Sequence, residues 1–433
     1  MGGGTDLGSL TDVGDLKLIG NNSDGASSQT DARGEQRAAG VVRGNNLDSV
    51  RRHNLSIVFE SVHHSGAISR SLLTRRTGLN RSTIADLVAE LVALRLVKET
   101  GSAPASRVGR PSSLVSADES TVAIAVNPEA DAVTIGVVGL GGRVHKRIRY
   151  ETDSPLTARE FVNLATAIIQ GVQSSVGAPG RIVGVGVAVP GLVHHSDGLV
   201  RWAPRLQWVD EPIAELLGAA TGLPVVLGND ASLGAVGERL FGSGRGVRHL
   251  IYINGGASGI GGGVISDGVL LQGVNGYAGE FGHTRVGSAG GVDSAGLVGT
   301  LEAQVTRAGL LEILDLRTAD ADELERALLV STSHAVQLEV HRQLEMLGMA
   351  LASAINVLNP ELIILGGFLG SLFAAAPARL ESVVARETLP ASWQGLQITK
   401  AKLGSNILIV GAAELAFAAV LRDPANVDSL VAG

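Results

Sequence analysis

The stretch Gly255–Val286, GGASGIGGGVISDGVLLQGVNGYAGEFGHTRV, constrains this chain more than any other. Glycines at 259, 261, 262 and 263 let a backbone approach a phosphate where side chains would block it. Apolar residues flank the run, which predicts strands at His249–Ile253, Gly263–Ser266 and Gly268–Leu271 around a glycine turn. The segment then enters a polar loop that ends Glu280-Phe281-Gly282-His283. Glu280 and His283 lie three residues apart and offer two groups suited to hydrogen-bonding sugar hydroxyls.

At 433 residues the chain exceeds one domain. Apolar residues make up 45% and aromatic residues only 3%, so the core must be built from Ala, Val, Leu and Ile. That composition suits an α/β architecture with buried parallel strands. The absence of cysteine excludes disulfides and thiolate metal sites. The N-terminus lacks a basic-then-apolar signal pattern, and no apolar run reaches about 18 residues without interruption. A cytoplasmic protein without a membrane partner is expected. The net charge of −7 hides an asymmetry: residues 47–116 carry +5 and the remainder −12. A basic segment on an acidic body implies a polyanionic partner for that segment alone.

Residues 1–46, rich in Gly, Ser, Asn and Asp, read as a disordered leader. Residues 47–116 read as a winged helix-turn-helix. A first helix is expected over Asp48–His64, and Ser69 caps a second over Arg70–Arg76. Thr77-Gly78-Leu79 makes the turn, and Asn80 caps a third helix with Ile84, Leu87, Val88, Leu91 and Leu94 on one face. Arg81, Ser82 and Thr83 lead this helix and stay off its apolar stripe, which makes them candidate base readers; Arg70 is a further candidate DNA contact. Leu96–Thr100 reads as a strand and Gly101–Ser113 as the wing. There Arg107 and Arg110, beside Gly109 and Pro111, suit a narrow minor groove. A protein-interaction module is the alternative reading of this segment.

From 117 onward strands and helices alternate. Strands are expected at Thr121–Val126, Ala132–Val138, Arg143–Tyr150, Ile182–Val189 and Val225–Leu227, with helices at Ala158–Val176, Glu211–Thr221 and Ala231–Phe241. The pattern then restarts at His249, which suggests an internally duplicated fold with a cleft between two lobes. The glycine hairpin, the spacing and the E-x-G-H ending together resemble the signature of the ROK family of repressors, open reading frames and sugar kinases. Ser69, Arg70, Leu73, Thr77, Gly78, Leu79, Thr83, Gly109, Arg110 and Pro111 also match the DNA-binding half of ROK regulators, which ROK kinases lack. The resemblance covers roughly residues 55–421. It implies a two-lobed actin-like, or hexokinase-like, ATPase fold behind the winged helix-turn-helix. Lobe 1 would span 117–232 and lobe 2 233–410. Residues 411–421 would pack back on lobe 1, and 422–433 would form a tail.

The resemblance carries sugar contacts to Asn229, Asp230, Glu280, His283 and Glu302, with Asp230 at the family's catalytic-base position. A helix N-cap is the alternative for Asp230, and a structural role for His283. Many ROK proteins follow the E-x-G-H loop with three zinc-binding cysteines. Here Asp293, Ala295 and Thr300 stand at those positions, so no zinc is expected and the loop 287–300 would be held by packing alone. Actin-like kinases hold ATP with two hairpins. The second is intact here (Ser258, Gly259, Gly261, Gly262), and Asn359-Pro360-Glu361 with Gly366-Gly367 matches the adenosine side. The first hairpin reads Asn127-Pro128-Glu129-Ala130-Asp131 where kinases carry D-x-G-G-T. It loses the metal-facing aspartate, the glycine pair and the threonine, so kinase activity and bound ATP are not expected. The sequence thus predicts a DNA-binding repressor of carbohydrate uptake or utilisation genes, responsive to a sugar or sugar phosphate. The family implies a homodimer or tetramer reading an inverted-repeat operator. A sugar kinase with an appended DNA-binding module, and a regulator signalled by a protein partner, are the alternatives.

Overall fold

The computed structural model describes residues 47–102, 113–175, 180–194, 197–288 and 290–431. The expected leader lies outside the described residues, as do Pro104, Arg107, Gly109, Arg110 and Pro111 of the expected wing. Helices Leu47–Ser65, Arg70–Thr77 and Arg81–Ala93 pack with a small antiparallel sheet whose central strand, Ser113–Ala117, lies between Ile68–Ser69 and Val97–Ser102. Local chemistry sets these boundaries. Ser69 Oγ accepts from Leu72 N at 3.2 Å, and Asn80 Oδ1 accepts from Thr83 N at 2.8 Å. Gly78 ends the second helix at φ +71°, in the left-handed region that glycine enters without strain.

The body holds two five-stranded sheets of one topology. Numbered in chain order within each sheet, the strands lie 3-2-1-4-5. The first sheet uses Thr121–Pro128, Ala132–Gly139, Arg143–Glu151, Arg181–Val189 and Val225–Asn229. The second uses Leu250–Gly256, Gly259–Ser266, Val269–Leu270, Leu362–Gly366 and Gln397–Lys400. In both, the first three strands are antiparallel neighbours and the last two join in parallel. The duplication expected from the restarting pattern is therefore present strand for strand.

Strand Thr121–Pro128 is buried on both faces. Val122, Ile124 and Val126 meet helix Ala158–Ser175 through Phe161, Ala165 and Ile169. Ala123 and Ala125 face the terminal helix Ile407–Arg422. Those alanines, with Gly186 on the neighbouring strand, let that helix lie close, since a Cβ at 186 would overlap the Ala412 carbonyl. The stretch Gly404–Arg422 that contains this helix is long and apolar enough to cross a membrane, yet Ile409, Ala412, Ala413, Phe417 and Val420 pack on the first sheet and the N-terminal module. It begins at Ile407, earlier than expected, and helix Asp230–Phe241 runs through the expected lobe division at 232/233.

The N-terminal module shares its core with the body. Leu55, Val58, Phe59 and Val62 belong to one apolar cluster with Val138, Leu140, Phe417, Val420 and Leu421. At its centre sits a polar knot. Glu414 accepts from His63 Nε2 at 2.8 Å and from His64 Nε2 at 2.7 Å. Gly141 N donates to His63 Nδ1 at 2.9 Å, which puts the single ring proton on Nε2 and makes His63 neutral. Phe241 meets His63 and His64 edge-on at centroid distances of 5.6 and 5.8 Å.

Candidate functional site

Matching sheet ends border one cleft that is open to solvent. Asn127, Asn229 and Asn254 stand at or near the C-terminal ends of their strands and line it, as ligand sites of α/β sheets do. Asp230, Glu280, His283 and Glu302 line the same cleft, together with Ser258, Gly259 and Gly261 of the second hairpin. All five expected sugar contacts thus converge, although they are spread over more than 70 residues of sequence. Gly262 does not line the cleft.

Each side chain has a local cause for its position. Asn229, not Asp230, caps helix Asp230–Phe241: its Oδ1 accepts from Ser232 N at 2.9 Å and its Nδ2 donates to the Gly191 carbonyl at 3.1 Å. Asp230 follows as the first helical residue and accepts from Ala231 N at 2.7 Å. Burial pushes its carboxyl up to about 7; the Ala231 N–H opposes this and the nearby Glu280 and Glu129 carboxylates add to it. Burial likewise raises Glu280, against the pull of His283 and with the push of Glu302. An acid so poised can hold or release a proton of a ligand hydroxyl near neutral pH.

The hairpin glycines divide into two uses. Gly259, Gly261, Gly262 and Gly263 lie in the second strand itself, Gly259–Ser266, and the turn falls at Ala257 and Ser258. A Cβ at Gly262 would overlap Phe281, and one at Gly263 would press on Ala235 and Ser232 of helix Asp230–Phe241. These two glycines therefore serve packing. Gly259, at φ +124°, faces the cleft, where a Cβ would overlap the Glu302 carboxylate. Glu302 is a clamp: Oε2 accepts from Ile260 N at 3.0 Å and Oε1 from Ser294 N at 2.9 Å, joining the hairpin to the loop before it.

The first hairpin presents different groups. Asn127 is 3% exposed, and its amide donates to the Ala188 carbonyl at 2.8 Å. The turn is tight, with Glu129 N donating to Ala132 O at 2.7 Å. Glu129 lines the cleft and pairs with Arg149, which also reaches Asp131 at 3.2 Å. Burial raises the Glu129 carboxyl while Arg149 lowers it.

The DNA-facing candidates sit as follows. Arg81 and Ser82 are exposed at the start of helix Arg81–Ala93, and Thr83 is half-buried. Ser82 Oγ donates to the Asn80 cap at 2.7 Å. Arg70 pairs with Glu99 on the neighbouring strand, which ties its guanidinium to the module. The pull of Glu99 was not legible from the helix-turn-helix spacing.

The profile of the ROK family matches residues 123–419. The chain belongs to the ROK family. It is 27% identical to a xylose repressor of Caldicellulosiruptor bescii over 87% of this chain and 98% of that one. It is 29% identical to a glucokinase of Streptomyces coelicolor over 68% of this chain and 96% of that one. A ROK family transcriptional regulator, a homologue of the E. coli MLC protein, shares the fold at TM-score 0.70 and 24% identity, covering 89% of this chain and all of that one. A ROK glucokinase from Streptomyces griseus, in complex with glucose and AMPPNP, superposes at TM-score 0.58 and 26% identity over 68% of this chain and 98% of that one.

As a ROK protein the chain raises the question of the family's zinc. The residues here do not fit it. Ala295 has no donor atom, and Thr300 Oγ1 donates to Asp293 Oδ2 at 2.9 Å. Asp293 also accepts from His283 Nδ1 and from the N–H groups of Ala295 and Leu297, at 2.8–2.9 Å, which fills its acceptor positions. The expectation that packing alone holds loop 287–300 is corrected by this carboxylate-centred knot. Sequence reading missed Asn254 as a cleft residue. Its signal was the duplication, since Asn254 and Asn127 occupy the same strand of the two sheets.

Proposed function

We propose that this chain is a sugar-responsive, DNA-binding repressor of carbohydrate uptake or utilisation genes that binds its effector in the cleft without phosphorylating it. One observation carries the reading. A helix-turn-helix module shares its core with a cleft that keeps the sugar-facing groups Asn229, Asp230, Glu280 and His283, while the first hairpin offers Asn127 and Glu129. Phosphoryl transfer needs metal and donors at that hairpin. Glu129 supplies a carboxylate, Pro128 removes an N–H, and the Asn127 amide is engaged with backbone. The xylose repressor relatives support the same assignment across module and body alike.

The lining favours an uncharged sugar over a sugar phosphate. Glu129, Asp230, Glu280 and Glu302 face the space, and the neighbouring cations Arg149 and Arg205 already sit beside carboxylates. The sugar acts by binding the DNA-competent and DNA-incompetent arrangements with different affinity. The working form is a cytoplasmic homodimer or tetramer on an inverted repeat, since paired helix-turn-helix units read paired half-sites.

A second reading, a kinase with an appended module, draws on Asp230. Its carboxyl near 7 and the intact second hairpin suit a general base. The deciding experiment incubates the protein with sheared genomic DNA, with and without D-xylose or D-glucose, and sequences what is retained. Enriched sites beside carbohydrate genes that respond to a sugar support the repressor. Absence of enrichment together with hexose-dependent ADP formation would establish the kinase.

A further inference from the structure

The Asp293 knot does more than close a loop. Asp293 is 7% exposed and its carboxylate takes four donors: His283 Nδ1 and Thr300 Oγ1 on Oδ2, and the N–H groups of Ala295 and Leu297 on Oδ1. Burial would raise its carboxyl, but these donors outweigh burial and hold it below the usual range, so it stays ionised. An ionised carboxylate can only accept, so His283 Nδ1 carries a proton, and in the neutral ring it is the only one. The other nitrogen, Nε2, lies on the cleft side, 3.9 Å from Glu280 Oε2.

We propose that Asp293 is the positioning residue of the effector site, replacing a metal centre with a buried carboxylate and setting His283 to present Nε2 as a hydrogen-bond acceptor. The proposal rests on the reading of the cleft as a sugar site. A metal bound at Nδ1 would leave the ring proton on Nε2 and make His283 a donor to the ligand. The aspartate reverses that polarity. His283 Nε2 and Glu280 Oε2 then both accept, so the ligand must bring hydroxyl protons to both. The second clamp reinforces the first: Glu302 accepts from the adjacent Ser294 N–H and from the hairpin residue Ile260 N–H, so hydrogen bonds join the hairpin, the Asp293 loop and His283.

Asp293→Asn tests this because the loop dictates how the amide must sit. Two backbone N–H groups face the Oδ1 position, so the asparagine oxygen takes that place and its NH2 faces His283 Nδ1. The ring proton then moves to Nε2, the acceptor becomes a donor, and the shape of the loop is retained. Nitrogen-15 spectra of histidine-labelled protein at mildly alkaline pH, with His283→Gln to assign the signal, read the tautomer directly. The expected result is Nδ1–H in the natural chain and Nε2–H in Asp293→Asn. Affinity for D-xylose or D-glucose, whichever the natural chain binds, should fall about tenfold or more with little change in Tm. Asp293→Glu, which keeps the charge, should recover part of it. Metal analysis of the purified chain should find far less than one zinc per chain. Near-stoichiometric zinc, Nε2–H in the natural chain, or unchanged affinity in Asp293→Asn would overturn the proposal. Should the natural chain bind neither sugar, the sugar reading fails, while the tautomer and metal results still decide the role of Asp293.

Discussion

Replacing Glu414 by glutamine tests how the DNA-binding module is held. The carboxylate accepts from His63 Nε2 at 2.8 Å and from His64 Nε2 at 2.7 Å. Burial alone would raise this carboxyl; the two histidines outweigh burial and hold it below its ordinary value. Hydrogen bonds to a charged acceptor contribute about 1.5–3 kcal/mol each. Glutamine keeps one oxygen and turns an NH2 towards the other ring. The His63 side chain is wholly buried and that of His64 is 26% exposed, so the oxygen turns to His63 and water reaches His64. The net loss is one charge-assisted bond, about 2 kcal/mol, which for a chain of this size lowers Tm by about 2 °C. Glu414→Ala also leaves the His63 N–H stranded in the core, which should add about 1–3 kcal/mol to that loss. Thermal melts measure both, and hydrogen exchange of the Leu47–Ser65 amides shows whether the module is the part that loosens. Unchanged Tm and exchange in Glu414→Gln, or an alanine variant no worse than the glutamine one, would refute the reasoning.

Three further outcomes follow from the site and the module. Asp230 has a folded-state carboxyl raised from 3.8 to about 7, so the stability it contributes is full below about 4 and is lost as pH rises through 7. Asp230→Asn keeps the acceptor for Ala231 N and should be more stable than the natural chain at pH 8, by about 2–4 kcal/mol. That gap should close as pH falls towards 4 in paired denaturation curves; a gap independent of pH would refute the assignment. Gly259→Ala should destabilise by about 2 kcal/mol or more and remove the sugar-induced Tm shift, because its Cβ displaces the Glu302 clamp at a backbone angle disfavoured for alanine; a variant that melts and binds as the natural chain does would refute it. Arg81→Ala should weaken operator binding and reduce the salt slope by about 1 while leaving the sugar-induced Tm shift intact. An unchanged slope would remove Arg81 from the DNA contacts.

Much of the fold was legible because local chemistry wrote it. Ser69, Gly78 and Asn80 set the helix boundaries of the module by capping, which depends on neighbours a few residues away. The apolar periodicity revealed both sheets, and the motif residues Asn229, Asp230, Glu280 and His283 do meet in one cleft. What escaped were contacts that sequence spacing cannot encode. Glu414 lies 351 residues from His63, and nothing in either segment announces the other. Strand Val225–Asn229 runs two residues past the apolar pattern, and Asn229 rather than Asp230 caps the helix, so the helix begins at Asp230, one residue earlier than expected. Asp293 was visible as a missing ligand, but its four donors include two backbone N–H groups whose direction only the folded loop supplies.

The shared core of module and body bears on how such proteins can be recombined. A cut after residue 116 would leave Leu55, Val58, Phe59 and Val62 bare on the excised reader, and Phe417 and Val420 bare on the sensor. A chimaera joining this reader to another sensor would therefore need the terminal segment 407–431 grafted with it, including Glu414 for the His63 and His64 rings. Because the helix in that segment also covers the first sheet through Ala412 and Ala413, the reader cannot be lifted away without rebuilding the face of the sheet it leaves.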